Sequence, residues 1–211
     1  MGNFDAYSFA LSMAALVICI TIHEFAHAYA AYRAGDDTPR LQGRLSLNPL
    51  DHLDPMGTIM MVVSSISGFG IGWGKPVQIN PANFRHPRWD NLKMSLWGPL
   101  SNLLTAAAAG LLYRLAAHLL PANVVYFLWL LAAISVGLAL FNLLPVAPLD
   151  GSHIVSSLLP YRQARSYDIF MARYGFFIFI GLIFLAPGVL PGLIGPPARM
   201  LIKLLMGQPV G

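Results

Sequence analysis

The stretch TIHEFAHAYAAYR, residues 21–33, sets His23, Glu24 and His27 directly behind SFALSMAALVICI, a run with no charge. On a helix, positions four apart differ by about 400° of rotation and lie on one face a turn apart, so His23 and His27 can aim at one ion. Glu24 then stands beside the ion's open position. Two imidazoles that hold zinc, with a carboxylate placed to take a proton from the water the metal activates, is the chemistry this spacing serves. The alternative is a pair of interior histidines hydrogen-bonded between helices. Ionisable groups at membrane depth cost about 2.5–3.5 kcal/mol on insertion scales, so they persist where they do a job; three at ligand spacing favour the metal.

A catalytic zinc needs a third protein ligand. Glu24 is the only glutamate in the chain, which excludes a second-glutamate ligand of the thermolysin kind, and the residues after HEFAH lack the glycine and third histidine of the metzincin pattern. What remains is an aspartate or one of His52, His86, His118 and His153. Depth separates these. The first charge beyond the motif is Arg33, which puts the two histidines roughly 9 to 15 Å below the interface at 1.5 Å per residue. Asp36, Asp37, Asp51, Asp54, Asp90 and Asp168 stand in polar, loop-like surroundings. Asp150 instead closes GLALFNLLPVAPLDGSHI, with no charge in the 35 residues before it, and Pro145, Pro148 and Gly151 break the helix there. Asp150 is the expected third ligand; its other possible role is the polar residue of an Asp-Gly turn.

The elements that must carry these residues are set by composition. The 211 residues are 56% hydrophobic and 10% charged with a mean hydropathy of +0.62, against about 25% charged in soluble domains. The expected fold is an all-α polytopic membrane protein, a single domain over residues 1–211. Spans are expected near 6–32, 93–118, 123–146 and 170–189, each of the order of the 20 apolar residues a crossing needs. Residues 192–206, with Arg199 and Lys203 set between leucines, form an interfacial helix or a short final span, giving four to five transmembrane helices. No Lys or Arg precedes the first apolar run and no small-residue cleavage site follows it before His23, so the first span is expected to be retained. The single cysteine, Cys19, forms no internal disulfide. A net charge of +4 could suggest nucleic acid, but the basic residues are spread over loops without an aromatic-basic repeat, and no nucleic-acid partner is expected. Seven of the thirteen Lys and Arg lie from 33 to 93 while LLPAN carries none, which puts the long connection in the cytoplasm and the N-terminus outside.

His23 and His27 lie near the C-terminal end of the first span and Asp150 at the C-terminal end of the third. They share a leaflet only if two crossings separate them, and 93–118 and 123–146 supply those two. The uncharged stretch 55–74 is therefore expected to be a re-entrant or interfacial element, with a short β element possible at the cytoplasmic side. Within it GFGIGWGK departs from a phosphate loop at Phe69 and Pro76. KPVQIN, 75–80, alternates Val77 and Ile79 with polar neighbours, as suits either an edge strand that adds an extended peptide or a covering loop.

HEFAH, GPLSN at 98–102 and FNLLPVAPLDG at 141–151, in that order, resemble the site-2 protease family of intramembrane zinc metalloproteases, peptidase family M50. LNPLDHLDPMGT and GWGKPVQINPANFR look like its compact bacterial and archaeal branch, and the resemblance covers roughly residues 20 to 155. It implies an enzyme of a prokaryotic cell membrane that hydrolyses peptide bonds in or near transmembrane segments of membrane-protein substrates, with its active site toward the cytoplasm. It further implies one Zn2+ per chain held by His23, His27 and Asp150, Glu24 as base, and Asn142 stabilising the oxyanion or positioning substrate. Ala147 stands where the family commonly has proline, an expected modest change of the bend. No PDZ or CBS domain is expected in a chain of this length. Asn102, after the helix-bending Gly98-Pro99, either lines the same cavity or packs helices. The rival reading is a metal transporter or a non-catalytic zinc-binding membrane protein. Transport calls for polar residues staggered across the bilayer, and apart from Arg114, His118 and scattered Ser and Asn the spans lack them.

Overall fold

The computed structural model describes residues 5–66, 73–186 and 188–207, and of residues 64–66 the backbone alone. Long uncharged runs rich in alanine and leucine leave a backbone in lipid no partner but itself, and each becomes a helix. Helix α1, Ala6–Ala34, starts where the Asp5 carboxylate accepts the N–H groups of Tyr7 and Ser8 and stops at Gly35, whose φ of 110° suits glycine. After the short α2 (Thr38–Leu41) and α3 (Pro55–Ile66) come α4 (Pro87–Ala116), α5 (Ala122–Asn142), α6 (Asp150–Leu158), α7 (Tyr161–Phe184) and α8 (Val189–Met206). The architecture is all-α and polytopic. By length and composition α1, α5, α7 and α8 can each cross a membrane.

Helix α4 is the longest, at 30 residues, yet is not among those four. Ser95, Ser101 and Asn102 lower its hydropathy, and all three are buried against neighbouring helices rather than turned to lipid. It packs against α1, α5, α6 and α8. Small residues permit this: Ala106 and Ala109 join Leu128, Ala132, Val136 and Met206 in the core between α4, α5 and α8, and a Cβ on Gly110 would lie 2.9 Å from the Leu205 carbonyl oxygen. Close van der Waals approach through small side chains is what holds helices together where no water is expelled. Helix α7 begins well before its apolar run, because Pro160 sets its first turn and the polar residues Arg162 to Arg173 continue the helix. It packs on α6 and α8 and turns Phe176, Phe177 and Phe184 outward.

Between α1 and α4, Leu53 and Gly74 form an antiparallel bridge, so the chain that leaves at Leu53 is back beside it at Gly74. The 12 residues of α3 rise about 18 Å, short of the roughly 30 Å of a hydrocarbon core. Residues 67–72, which include most of GFGIGWGK and part of the stretch expected to be re-entrant, lie outside the described residues. Residues 75–80 have no regular secondary structure, and the bridge is the one β pairing among the described residues.

Asp36 ties this connection to the end of α1. Its buried carboxylate accepts from Thr38 N–H (3.1 Å), Thr38 Oγ1 (2.6 Å), Asn80 N–H (2.7 Å) and Asn83 Nδ2 (2.9 Å). Burial alone would raise its pKa, but the donors of Thr38, Asn80 and Asn83 outweigh it and hold the carboxyl below its ordinary value. Because the folded pKa is the lower one, the stabilisation is complete at neutral pH and fades as pH falls through that depressed value. Asp36→Ala is expected to cost about 1–3 kcal/mol or more at pH 7, since several donors lose their acceptor together. Thermal unfolding in detergent at pH 7 checks it, and the difference from wild type should shrink on acidification.

Candidate metal centre

His23 and His27 lie one turn apart on the face of α1 that meets α4, both buried. Their Nε2 atoms are 3.0 Å apart. The partly buried Asp150 closes the triangle, with Oδ2 3.2 Å from His23 Nε2 and Oδ1 3.2 Å from His27 Nε2. Asp150 Oδ2 has no hydrogen-bond partner among the described residues. A tetrahedral zinc with ligands at 2.0–2.1 Å spaces those ligands about 3.3 Å apart, so the three donors have the chemistry and nearly the spacing that the ion requires. The ligand atoms lie within 4.8 Å of one another, and His23, His27 and Asp150 are the one such group among the described residues.

Each of the three donors is aimed by its surroundings. The Met94 carbonyl of α4 lies 2.8 Å from His27 Nδ1. A carbonyl only accepts, so Nδ1 carries the proton and Nε2 keeps its lone pair for the centre. Pro99 has no N–H to give the Ser95 carbonyl, the next one along α4. Gly98 lets α4 come this near: a Cβ there would collide with His27 Nε2 and stand 2.7 Å from His23 Cε1. On the far side of His23, Asn102 Nδ2 is 3.2 Å from Nδ1.

Asp150 opens α6 just after the turn that ends α5. Its neighbour Gly151 lies against the Leu143 and Leu144 carbonyls so closely that a Cβ would collide with both. The far end of α6 is clamped to α4 by Arg88, which donates from Nε to the Ser157 carbonyl (2.7 Å) and from Nη2 to those of Leu158 (3.1 Å) and Leu159 (3.0 Å). These are unsatisfied carbonyls of a helix C-terminus, the natural target of a guanidinium. Helix α7 holds the turn itself, through Tyr167 donating to the Pro145 carbonyl at 2.9 Å and Gly175 packing on Ala147.

Glu24 sits beside the two histidines and accepts the Val77 N–H at Oε2, 3.2 Å, while Oε1 lies toward Gly74. Gly74 and Val77 therefore both lie against the Glu24 carboxylate. Asn142 is not drawn into the cluster: its amide donates to the Leu138 carbonyl, 3.0 Å away in its own helix. His52, His86, His118 and His153 stay out of the cluster as well; His52 is buried with Nε2 2.7 Å from the Ser46 carbonyl. Sequence reasoning missed the Met94 carbonyl, the Val77 contact and the Arg88 clamp. It had located Gly98 and Asn102 through GPLSN; of the two roles offered for Asn102, lining the cavity or packing helices, the first agrees with its contact on His23.

A polytopic helical membrane protein with two imidazoles and one carboxylate converging in its interior, and a second carboxylate alongside, has the donor set of a membrane metallohydrolase. The comparisons with known proteins say which. Residues 108–186 match the model of the family described as Peptidase family M50. The chain is 39% identical over 181 residues to "Putative zinc metalloprotease YwhC" of Bacillus subtilis, covering 82% of this chain and 78% of that one. It is 33% identical to "Putative zinc metalloprotease Rip2" of Mycolicibacterium smegmatis, covering 68% of this chain and 55% of that one. The Rip2 of Mycobacterium tuberculosis strain H37Rv is 30% identical, over 85% of this chain and 68% of its own. No solved structure matches the chain. The chain belongs to peptidase family M50, and its class is that of the zinc metalloproteases.

Proposed function

We propose that this is an intramembrane protease of the site-2 type, hydrolysing peptide bonds in or near transmembrane segments of membrane-protein substrates. His23, His27 and Asp150 hold the zinc, Glu24 is the general base and Asn142 an oxyanion donor. The observation that carries the reading is the convergence of His23 Nε2, His27 Nε2 and Asp150 within 3.2 Å of one another, with both histidines on a helix long and apolar enough to cross a membrane.

When bound, zinc supplies Lewis acidity that makes a water nucleophilic near neutral pH and polarises the scissile carbonyl. Glu24 accepts the proton of the attacking water and returns it to the leaving amine. Oε1 is the atom for this, since Oε2 is engaged by Val77. The Asn142 amide has two N–H groups; one is spent on Leu138, and the second is available to an oxyanion. Segment 75–80, which touches Glu24 through the Val77 N–H, is the candidate to pair with a substrate helix once unwound, because intact helical amides are shielded from attack.

The topology proposed from the sequence has α4 and α5 as the two crossings that return Asp150 to the leaflet of His23 and His27, the site opening to the cytoplasm. The bridge between Leu53 and Gly74 supports a stretch 55–74 that returns to the side it left. The test is cleavage by the purified chain in liposomes of a reporter with one bilayer-spanning segment, the new termini mapped by mass spectrometry. Termini within or near that segment, lost on zinc chelation, are expected. Hydrolysis confined to soluble peptides, or none with zinc bound, would overturn the reading.

A further inference from the structure

The two histidines meet α4 through different groups, and the difference assigns a role to a side chain outside the ligand set. His27 Nδ1 faces the Met94 carbonyl, which can only accept. His23 Nδ1 faces the Asn102 side-chain amide, which can do either according to which end it presents. For Nε2 of His23 to offer a lone pair to a metal, the ring proton must sit on Nδ1, and Nδ1 then needs an acceptor. With Nδ2 of Asn102 toward the ring, Nδ1 would be the acceptor, the proton would move to Nε2, and Asn102 Oδ1 would be fully buried with no hydrogen-bond partner among the described residues. A half-turn about the Cβ–Cγ bond exchanges the two ends of the amide. It puts Oδ1 on the His23 N–H and gives the stranded oxygen its partner.

We propose that Asn102 is a positioning residue whose amide oxygen accepts the Nδ1–H of His23, fixing the ring in the tautomer that presents Nε2 to zinc. Helix α4 thus sets the tautomer of both histidines, of His27 by backbone and of His23 by side chain. The site leaves Asn102 little choice of partner: it is wholly buried, and Gly98, one turn earlier, brings α4 within contact of both rings. Outer partners of this kind hold ligating histidines in their tautomer, and their loss costs about 10–100-fold in metal affinity.

The inference rests on His23 being a zinc ligand, so the test separates the two. The zinc affinity of the detergent-purified full chain is measured by competition with a chelator for wild type, Asn102→Leu, Asn102→Asp and Asp150→Ala. Asn102→Leu, which fills the space but cannot accept, is expected to lose about 10–100-fold. Asn102→Asp, which can only accept, is expected to bind zinc at least about ten times more tightly than Asn102→Leu. Equal loss in both, with the metal-free proteins unfolding at the same temperature, would mean a packing role and overturn the proposal. Asn102→Leu at wild-type affinity, while Asp150→Ala loses zinc, would overturn it and leave the ligand assignment standing; unchanged zinc in Asp150→Ala would remove the ligand assignment itself. A measurement independent of the variants is 15N NMR of histidine-labelled wild type with zinc. A protonated Nδ1 on His23 is expected, and a protonated Nε2 would refute the assignment.

Discussion

Glu24→Gln is expected to lower cleavage of a bilayer-spanning substrate by about 10²–10⁴-fold while leaving the zinc content unchanged. Glutamine has the shape of the native side chain and can still accept the Val77 N–H, 3.2 Å from Oε2 in the native protein, so the segment that carries Val77 keeps its anchor. What it cannot do is take up a proton. No other carboxylate stands in: Glu24 is the sole glutamate, and Asp150 is engaged with both imidazoles. Glu24→Asp gives a second point on the same line, because it keeps the base but draws it back by one methylene, and its activity should fall between the two. Zinc measured on the same preparations divides the outcomes. Zinc retained with activity lost assigns the base, whereas zinc retained with activity within about threefold of wild type would mean that Glu24 takes no proton in the rate-limiting step. A site that only stores or carries the metal predicts that second result.

The chemistry of the centre was legible in the sequence because helical periodicity is rigid. A separation of four positions between His23 and His27 admits one geometry on a helix, and a carboxylate at the end of a long uncharged run has few places to go. The surroundings of the centre were hidden for physical reasons that differ from residue to residue. Met94 acts through its carbonyl and Val77 through its N–H, and a backbone group carries no letter in a sequence. Gly98 acts by the absence of a Cβ, yet glycine is frequent in membrane helices, so it could be read as packing alone. Arg88 was counted as one more positive charge on the cytoplasmic side. Its capping of α6 depends on where that helix ends, which only the assembled fold decides. Helix α4 was anticipated from its apolar run over 93–118, but its start at Pro87 and the burial of its polar residues follow from packing against four neighbours.

Asp150→Ala is expected to reduce zinc affinity by more than the roughly 10–100-fold that loss of an outer partner costs, and to abolish measurable cleavage. Two imidazoles alone leave a tetrahedral ion half unsupported, and the neighbouring carboxylate, Glu24, already accepts the Val77 N–H at Oε2. The fold should survive, which makes the result interpretable. The turn that carries Asp150 is held by Gly151 against the Leu143 and Leu144 carbonyls and by Tyr167 on Pro145, and α6 beyond it by Arg88 on the Ser157, Leu158 and Leu159 carbonyls. None of these contacts uses the Asp150 side chain. In the metal-free protein Asp150 pairs with both imidazoles, Oδ2 with His23 and Oδ1 with His27 at 3.2 Å, so its loss is expected to lower the stability of the metal-free protein as well. Zinc binding distinguishes a ligand from a structural turn residue: a capping or turn role predicts unchanged zinc and the same stabilisation by zinc as wild type, and a ligand predicts loss of both. Elemental analysis and thermal unfolding of the two proteins, each with and without zinc, decide between them.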